Sequence, residues 1–116
     1  MLAEALIFCS LSFVKCDVQP IIEQRVVTAY TLSIHETDDT PCIGATGENL
    51  CEALERGESI CAANFVPFGT ILKIDGYGAC RVADRTARKY GQRVDILMKT
   101  VKEARKWGKQ TLTVEY

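Results

Sequence analysis

Histidine occurs once in this chain, at His35, which removes a Cys/His zinc set, and the six cysteines contain no C-x-x-C pair to supply a thiolate site instead. Neither sign of charge prevails. With 14 Lys+Arg against 15 Asp+Glu the formal net charge is −1, so the basic excess of a nucleic-acid-binding protein is missing and no nucleic-acid partner is expected. Only 3 prolines and 8 glycines are spread along the chain, without repeats or low-complexity tracts, which excludes collagen-like, linker and disordered classes. An apolar run, Ala5 to Val14, is too short to cross a bilayer as a helix, so no stable membrane span is expected. No phosphate loop or cofactor motif occurs; neither cofactor nor metal is expected, and His35 has no second ligand beside it.

What is present is globular: 47% hydrophobic and 25% charged residues in 116, enough for one compact core and one domain, expected to be a monomer. Residues 1–25 form an apolar N-terminal segment with two readings. One is a degenerate or truncated export signal, which lacks preceding basic residues and a small-x-small cleavage site. The other is an ordinary first hydrophobic element. Six cysteines, an even number at wide spacings, suit disulfides in an oxidising compartment, and hence an extracellular or cell-envelope protein of cellular or phage origin. Cys42, Cys51, Cys61 and Cys80 would pair among themselves if the N-terminus were removed, in any of three ways. The alternative is reduced, buried cysteines acting as small hydrophobes.

Residues 26–116 alternate short elements with turn signals. Val26 to Thr31 is β-branched and aromatic and predicts a strand; Ser33 to Thr40 predicts a loop. Glu48 to Arg56, with Leu50 and Leu54 one turn apart and Gly57 as a stop, predicts a short helix. Thr70–Ile74 and Ala79–Ala83 flank an Asp75-Gly76 hairpin signal. Arg93 to Met98 predicts another strand, and Thr100-x-x-Glu103 is a capping box opening a helix from Val101 to Trp107. Thr111 to Tyr116 alternates as a last strand. Five or six short strands with two helices predict a small closed barrel, since closure removes the exposed edges of so small a sheet.

Two aspartates bound the most polar excursion: Asp84 at the end of one strand and Asp95 inside the next, eleven positions on, with Arg85, Arg88, Lys89 and Arg93 between. Such an excursion can bring both carboxylates to one groove. Asp95 interrupts Val94-x-Ile96-x-Met98 on the opposite parity, so the plain alternative is an exposed carboxylate paired with Arg93 or Lys99.

The chain resembles the three-aspartate ("3D") domain family over roughly residues 26–116, through Val27-Thr28-Ala29-Tyr30-Thr31, Ala45-Thr46-Gly47, Val66-Pro67-Phe68-Gly69-Thr70, Gly76-Tyr77-Gly78, Ala83-Asp84, Arg93-Val94-Asp95-Ile96 and Ala104-x-x-Trp107-Gly108 in that order. The resemblance implies a mainly β fold, a six-stranded double-psi β-barrel with two short helices, as in membrane-bound lytic transglycosylase A and stationary-phase cell-wall proteins. It implies peptidoglycan glycan strands as partner and cleavage of the MurNAc-β-1,4-GlcNAc bond to a 1,6-anhydromuramic end. Asp95 would be the single acid/base and Asp84 its support. Thr28, Tyr30, Thr46, Asn64 and Tyr77 would contact substrate, with strand, turn and barrel-end packing as their alternative roles; Trp107 reads as a packed helix anchor. Arg85, Arg88, Lys89 and Arg93 would have to point to solvent or to acidic groups on the glycan's peptide stems, because beside Asp95 they would lower its pKa.

Two departures stand out. Cys61-Ala62-Ala63-Asn64 occupies the place of the family's V-A-V-D, so Asn64 replaces the first aspartate, and Asp38 and Asp39 in the preceding loop read as solvated loop residues first and as substitutes for it second. Asp84-Arg85-Thr86-Ala87-Arg88 replaces the glycine-rich D-T-G-G-A stretch. The competing readings are a non-catalytic glycan-binding or virion-associated barrel and a hydrolase using both aspartates.

Overall fold

The computed structural model describes residues 6–9, 16–32 and 42–116. His35, Asp38, Asp39 and the loop expected at Ser33–Thr40 lie outside the described residues. Within the N-terminal segment, β1 (Leu6–Cys9) and β2 (Cys16–Gln19) pair antiparallel as a two-stranded sheet.

Six strands close the barrel: β3 (Ile22–Tyr30), β4 (Ile60–Ala63), β5 (Ile71–Ile74), β6 (Gly78–Asp84), β7 (Val94–Leu97) and β8 (Gln110–Glu115), in the order β3-β7-β4-β6-β5-β8. The closed six-stranded architecture with two helices is the one expected. Its pairs β3–β7 and β4–β6 are parallel and the rest antiparallel, which fits double-psi connectivity and no up-and-down barrel.

The sequence pattern explains the wall. Val27, Cys61, Ala63, Leu72, Ile74, Cys80, Val82, Val94, Ile96 and Val114 alternate into one buried cluster. A second cluster on the outer side of the wall joins Ile60, Ala83 and Leu97 to Leu50 and Ala53 of helix α1 (Leu50–Glu55), with Tyr30 packed against it. Helix α1 is capped by Asn49, whose Oδ1 accepts the Glu52 amide. Helix α2 (Val101–Trp107) is capped by Thr100, whose Oγ1 accepts the Glu103 amide, and Trp107 anchors it by donating Nε1–H to the Val27 carbonyl. Asp75-Gly76 makes the β5–β6 turn, with Gly76 at a φ of 80° that disfavours any side chain. No helix among the described residues is long and apolar enough to cross a membrane.

Two strands depart from the sequence expectation. β3 starts at Ile22, four residues before the expected strand, because Ile22 to Val26 pair with β8 as far as Thr111. β4 carries only Ile60 as a β-branched residue; its place between β6 and β7, with all four residues buried, makes it a strand where propensity is weak.

Two disulfides close over the described residues. Cys61–Cys80 joins β4 to β6 inside the core, and Cys42–Cys51 ties the loop before α1 to the helix. This resolves the three open pairings by placing partners within bonding distance, with Cα separations of 5.8 and 5.3 Å.

Candidate functional site

The two aspartates meet through strand register. Thr28 of β3 pairs with Asp95 of β7, Asp95 pairs with Ala62 of β4, and Ala62 pairs with Asp84 of β6. One transverse row therefore crosses four neighbouring strands. Val27, Val94, Ile96 and Cys61 point into the barrel, so Thr28, Asp95 and Ala62, at the alternate positions, face the outer side of the wall. At β6 a register irregularity between Cys61 and Ala62 brings Asp84 into the row instead of Ala83. That bulge turns a strand end outward, the usual work of an extra residue in a ladder.

The side chains are held individually. Asp95 Oδ1 accepts the Thr28 hydroxyl at 3.1 Å. Asp84 accepts three donors: the Tyr30 phenol at 2.8 Å on Oδ2, and the backbone amides of Ala45 and Arg85 at 3.1 and 2.9 Å on Oδ1. Ala45 reaches it because the loop before α1 lies flat on the barrel at Gly44, where a side chain would run into Leu50 and the Ala83 carbonyl. Cys42–Cys51 holds that same loop from its other end.

Burial of the Asp95 carboxyl pushes its pKa above the ordinary value, and the neighbouring Asp84 carboxylate pushes in the same direction. The Thr28 hydrogen bond and the Arg93 charge act against this without reversing it. Asp95 is thus partly buried, not the exposed, ion-paired carboxylate of the plain alternative. The Tyr30 phenol is raised by burial first and then by the Asp84 charge, so it stays a proton donor to Asp84 across the working range.

Asn64, expected from the resemblance to occupy the place of a first aspartate, turns to the following loop. Its Nδ2 donates to the Thr86 carbonyl at 3.0 Å and its Oδ1 accepts the Thr86 amide at 2.9 Å. This two-point clamp needs both an acceptor and a donor, which an amide has and a carboxylate lacks. Arg85 is likewise structural: Nη1 donates to the Ala63 and Val66 carbonyls at 2.6 and 2.7 Å, and the guanidinium lies over the Phe68 ring. Arg88 and Lys89 are exposed, while Arg93 lies over the Tyr90 ring.

Thr46 is exposed beside Ala45, its Oγ1 accepting the Glu48 amide. Tyr77 packs edge-on against Trp107, with ring centroids 5.8 Å apart, and both line a cleft of about 640 Å³ with Leu54, Leu97 and Met98. None of that cleft's lining residues belongs to the Thr28–Asp84 row. The structure therefore brings together Thr28, Tyr30, Asp84 and Asp95, sets Thr46 at their border, and gives Asn64 and Tyr77 other partners. Sequence reasoning missed Ala62, the small residue between the carboxylates, and the Ala45 amide. The Ala62-Ala63 pair within a buried segment was the one available signal for the first; a backbone donor leaves none. Among the described residues no group of three or more His, Cys, Asp or Glu is arranged to hold a metal ion.

No protein-family model matches the chain. A relative from Bacillus subtilis, the cell wall shaping protein YabE, is 29% identical over 90 residues, or 76% of this chain. The chain spans only 21% of that relative's length.

Proposed function

We propose that the Thr28–Asp95–Ala62–Asp84 row is the active site of a peptidoglycan lytic transglycosylase acting at the cell envelope. The reading rests on one observation: a partly buried carboxyl, Asp95, with its pKa raised, set beside a second carboxylate fixed by three donors. The likeness to a cell wall shaping protein and the resemblance to the three-aspartate family supply the substrate class.

In this mechanism the protonated Asp95 gives its proton to the glycosidic oxygen as the C1–O bond to the leaving sugar breaks. The Asp95 carboxylate then takes the proton from the O6 hydroxyl of the same MurNAc, whose oxygen bonds to C1 and closes the 1,6-anhydro ring. The proton count balances with no water and no enzyme nucleophile, unlike the two-carboxylate glycosidase scheme. Asp84 keeps the site anionic, favouring the protonated form of Asp95 in the resting state and the oxocarbenium-like charge at C1 as the bond breaks. Thr28 orients Asp95, Tyr30 orients Asp84, and Thr46 offers a hydroxyl donor at the rim.

The second reading, a glycan-binding barrel without turnover, draws on Asn64: the first family aspartate is gone and the residue in its place is engaged in a loop clamp. Mass spectrometry of purified cell walls digested with the protein decides. Anhydromuramic ends establish the transglycosylase, reducing ends a hydrolase, and an absence of products alongside wall binding the second reading.

A further inference from the structure

The segment Arg85 to Arg93 carries four cations and no acid in a chain of net charge −1, so the rest of the protein holds five excess negative charges. This segment is built as a rigid ledge. It turns through a single 3-10 turn at Arg88–Tyr90, and Thr86 donates its hydroxyl to the Tyr90 carbonyl. Asn64 clamps one end, and Arg25 the other, through bonds of 3.0 and 2.8 Å to the Gln92 carbonyl and side chain.

Beneath the ledge runs a cleft of about 690 Å³ between it and the start of β3. Of the charged residues lining it, Arg25 is buried and its charge is paired with Glu23. Arg88, Lys89 and Arg93 have no salt bridge among the described residues. Lys89 and Arg93 both lie against the Tyr90 ring, at 4.9 and 4.2 Å from its centroid, which gathers the positive charge at one spot without neutralising it. Three unpaired cations around one polar cleft, held on a fixed backbone, form an anion site.

We infer that this cleft is a subsite for the carboxylates of the peptide stems borne by the glycan, so that the protein selects strands whose stems are intact. The inference rests on the proposed glycan substrate and extends it. Arg93 links the two places: it lines the cleft, and from two residues before Asp95 its charge acts on that carboxyl, so an anion held at the Arg93 edge would be the stem on the muramic residue at the proposed cutting position. A phosphate diester is the other anion a wall polymer offers. On the O6 of the cleaved sugar it would occupy the hydroxyl that closes the anhydro ring, which favours the carboxylate. Guanidinium groups suit that ligand, since two of the three nearest donors can grip a carboxylate with paired N–H bonds.

The experiment measures binding, not turnover. The full chain is sedimented with purified glycan carrying its stems, with the same glycan stripped of stems by an amidase and its freed lactyl carboxyls capped as methylamides, and with soluble polyphosphate. Stem-bearing glycan is expected to bind about tenfold more tightly than stripped glycan, with the difference shrinking as salt is raised. In Arg88→Glu/Lys89→Glu that preference is expected to vanish; both side chains are exposed and make no salt bridge among the described residues, and an unchanged melting temperature verifies the fold. Equal binding of stripped and intact glycan by the wild-type protein overturns the inference without any variant, as does binding polyphosphate as tightly as intact glycan. Stem-dependent binding with no anhydro products would uphold the subsite and refute the transglycosylase reading; anhydro products with no stem preference would do the reverse.

Discussion

Asp84 and Asp95 share Ala62 as their common ladder partner, one from the parallel side of β4 and one from the antiparallel side. Two strand spacings, roughly 9–10 Å, separate their backbones, and the methyl between them is too small to keep the carboxyls from facing one another's field. The pKa of Asp95 is raised by burial first; the Thr28 hydrogen bond and the Arg93 charge oppose the rise, and the Asp84 charge adds a smaller push upward.

The first expectation follows from that shift. Asp95→Asn should lower the rate of glycan cleavage by about a hundredfold or more, the usual worth of a positioned acid/base, with the fold intact. In the proposed mechanism the acid form starts the reaction, so the rate should fall as pH rises through a limb lying above the ordinary aspartate value. Stability carries the same sign. A carboxyl whose folded pKa exceeds its unfolded one binds more protons when folded, so stability declines as pH climbs from the unfolded value of 3.8 through the raised folded one. Asp95→Asn should therefore melt higher than wild type at pH 7, with the advantage shrinking toward pH 4. An advantage equal at both pH values would show that Asp95 is not perturbed.

Tyr30→Phe removes one of three donors to Asp84 and leaves the Ala45 and Arg85 amides in place. A bond to a charged acceptor is worth about 1.5–3 kcal/mol, so a loss of that size is expected in denaturant melts. With Oδ2 released, the Asp84 carboxylate can turn about the two amides that still hold Oδ1, so wall cleavage should fall, while the pH limb set by Asp95 moves only slightly because the charge keeps its place.

Much of this arrangement is legible in the sequence because side-chain parity is a local property. Val94 and Ile96 declare the inward face of β7, and Asp95 between them must lie on the other; the same holds for Thr28 after Val27. The Asp75-Gly76 turn and the Thr100 cap are likewise set within a few residues, whereas Asn49, expected inside the first helix, is its cap, and Trp107 is anchored by the distant Val27 carbonyl. What local pattern does not carry is register between distant strands. That Ala62 sits between the aspartates depends on the bulge in the β4–β6 ladder, and that Asn64 faces Thr86 depends on how the ledge folds back. The cysteine partners were open for the same reason: they depend on which strands become neighbours. β4 went unseen because Cys61-Ala62-Ala63 has no strand propensity and gains its form from two flanking strands.

The clamp at Asn64 gives a third test, which also bears on the resemblance. Asn64→Asp introduces the aspartate that the resemblance leads one to expect, but the new carboxylate would still accept the Thr86 amide and would set a negative charge against the Thr86 carbonyl. The variant is expected to lose about 1–3 kcal/mol at pH 7 and to gain no cleavage activity. Protonation returns a donor, so the loss should diminish toward pH 4, with thermal melts at the two pH values as the readout. A gain in activity at neutral pH would mean that the residue reaches the substrate, contrary to its contacts.

The two disulfides should separate on reduction. Cys61 and Cys80 are buried in the barrel core, whereas Cys42 and Cys51 are half-buried beside an exposed loop. Thiol–disulfide exchange needs access for the attacking thiolate, so a mild reductant should open Cys42–Cys51 first, and thiol labelling with peptide mapping will show the order. Opening it frees the loop that carries the Ala45 amide to Asp84, so partial reduction is expected to slow wall cleavage before the barrel unfolds. Replacing Cys61 and Cys80 together with alanine acts on the fold instead: closing a loop of 19 positions is worth about 3 kcal/mol, and two small voids in a packed core add to that loss. Cleavage that persists unchanged after selective opening of Cys42–Cys51 would show that the other two donors suffice to hold Asp84.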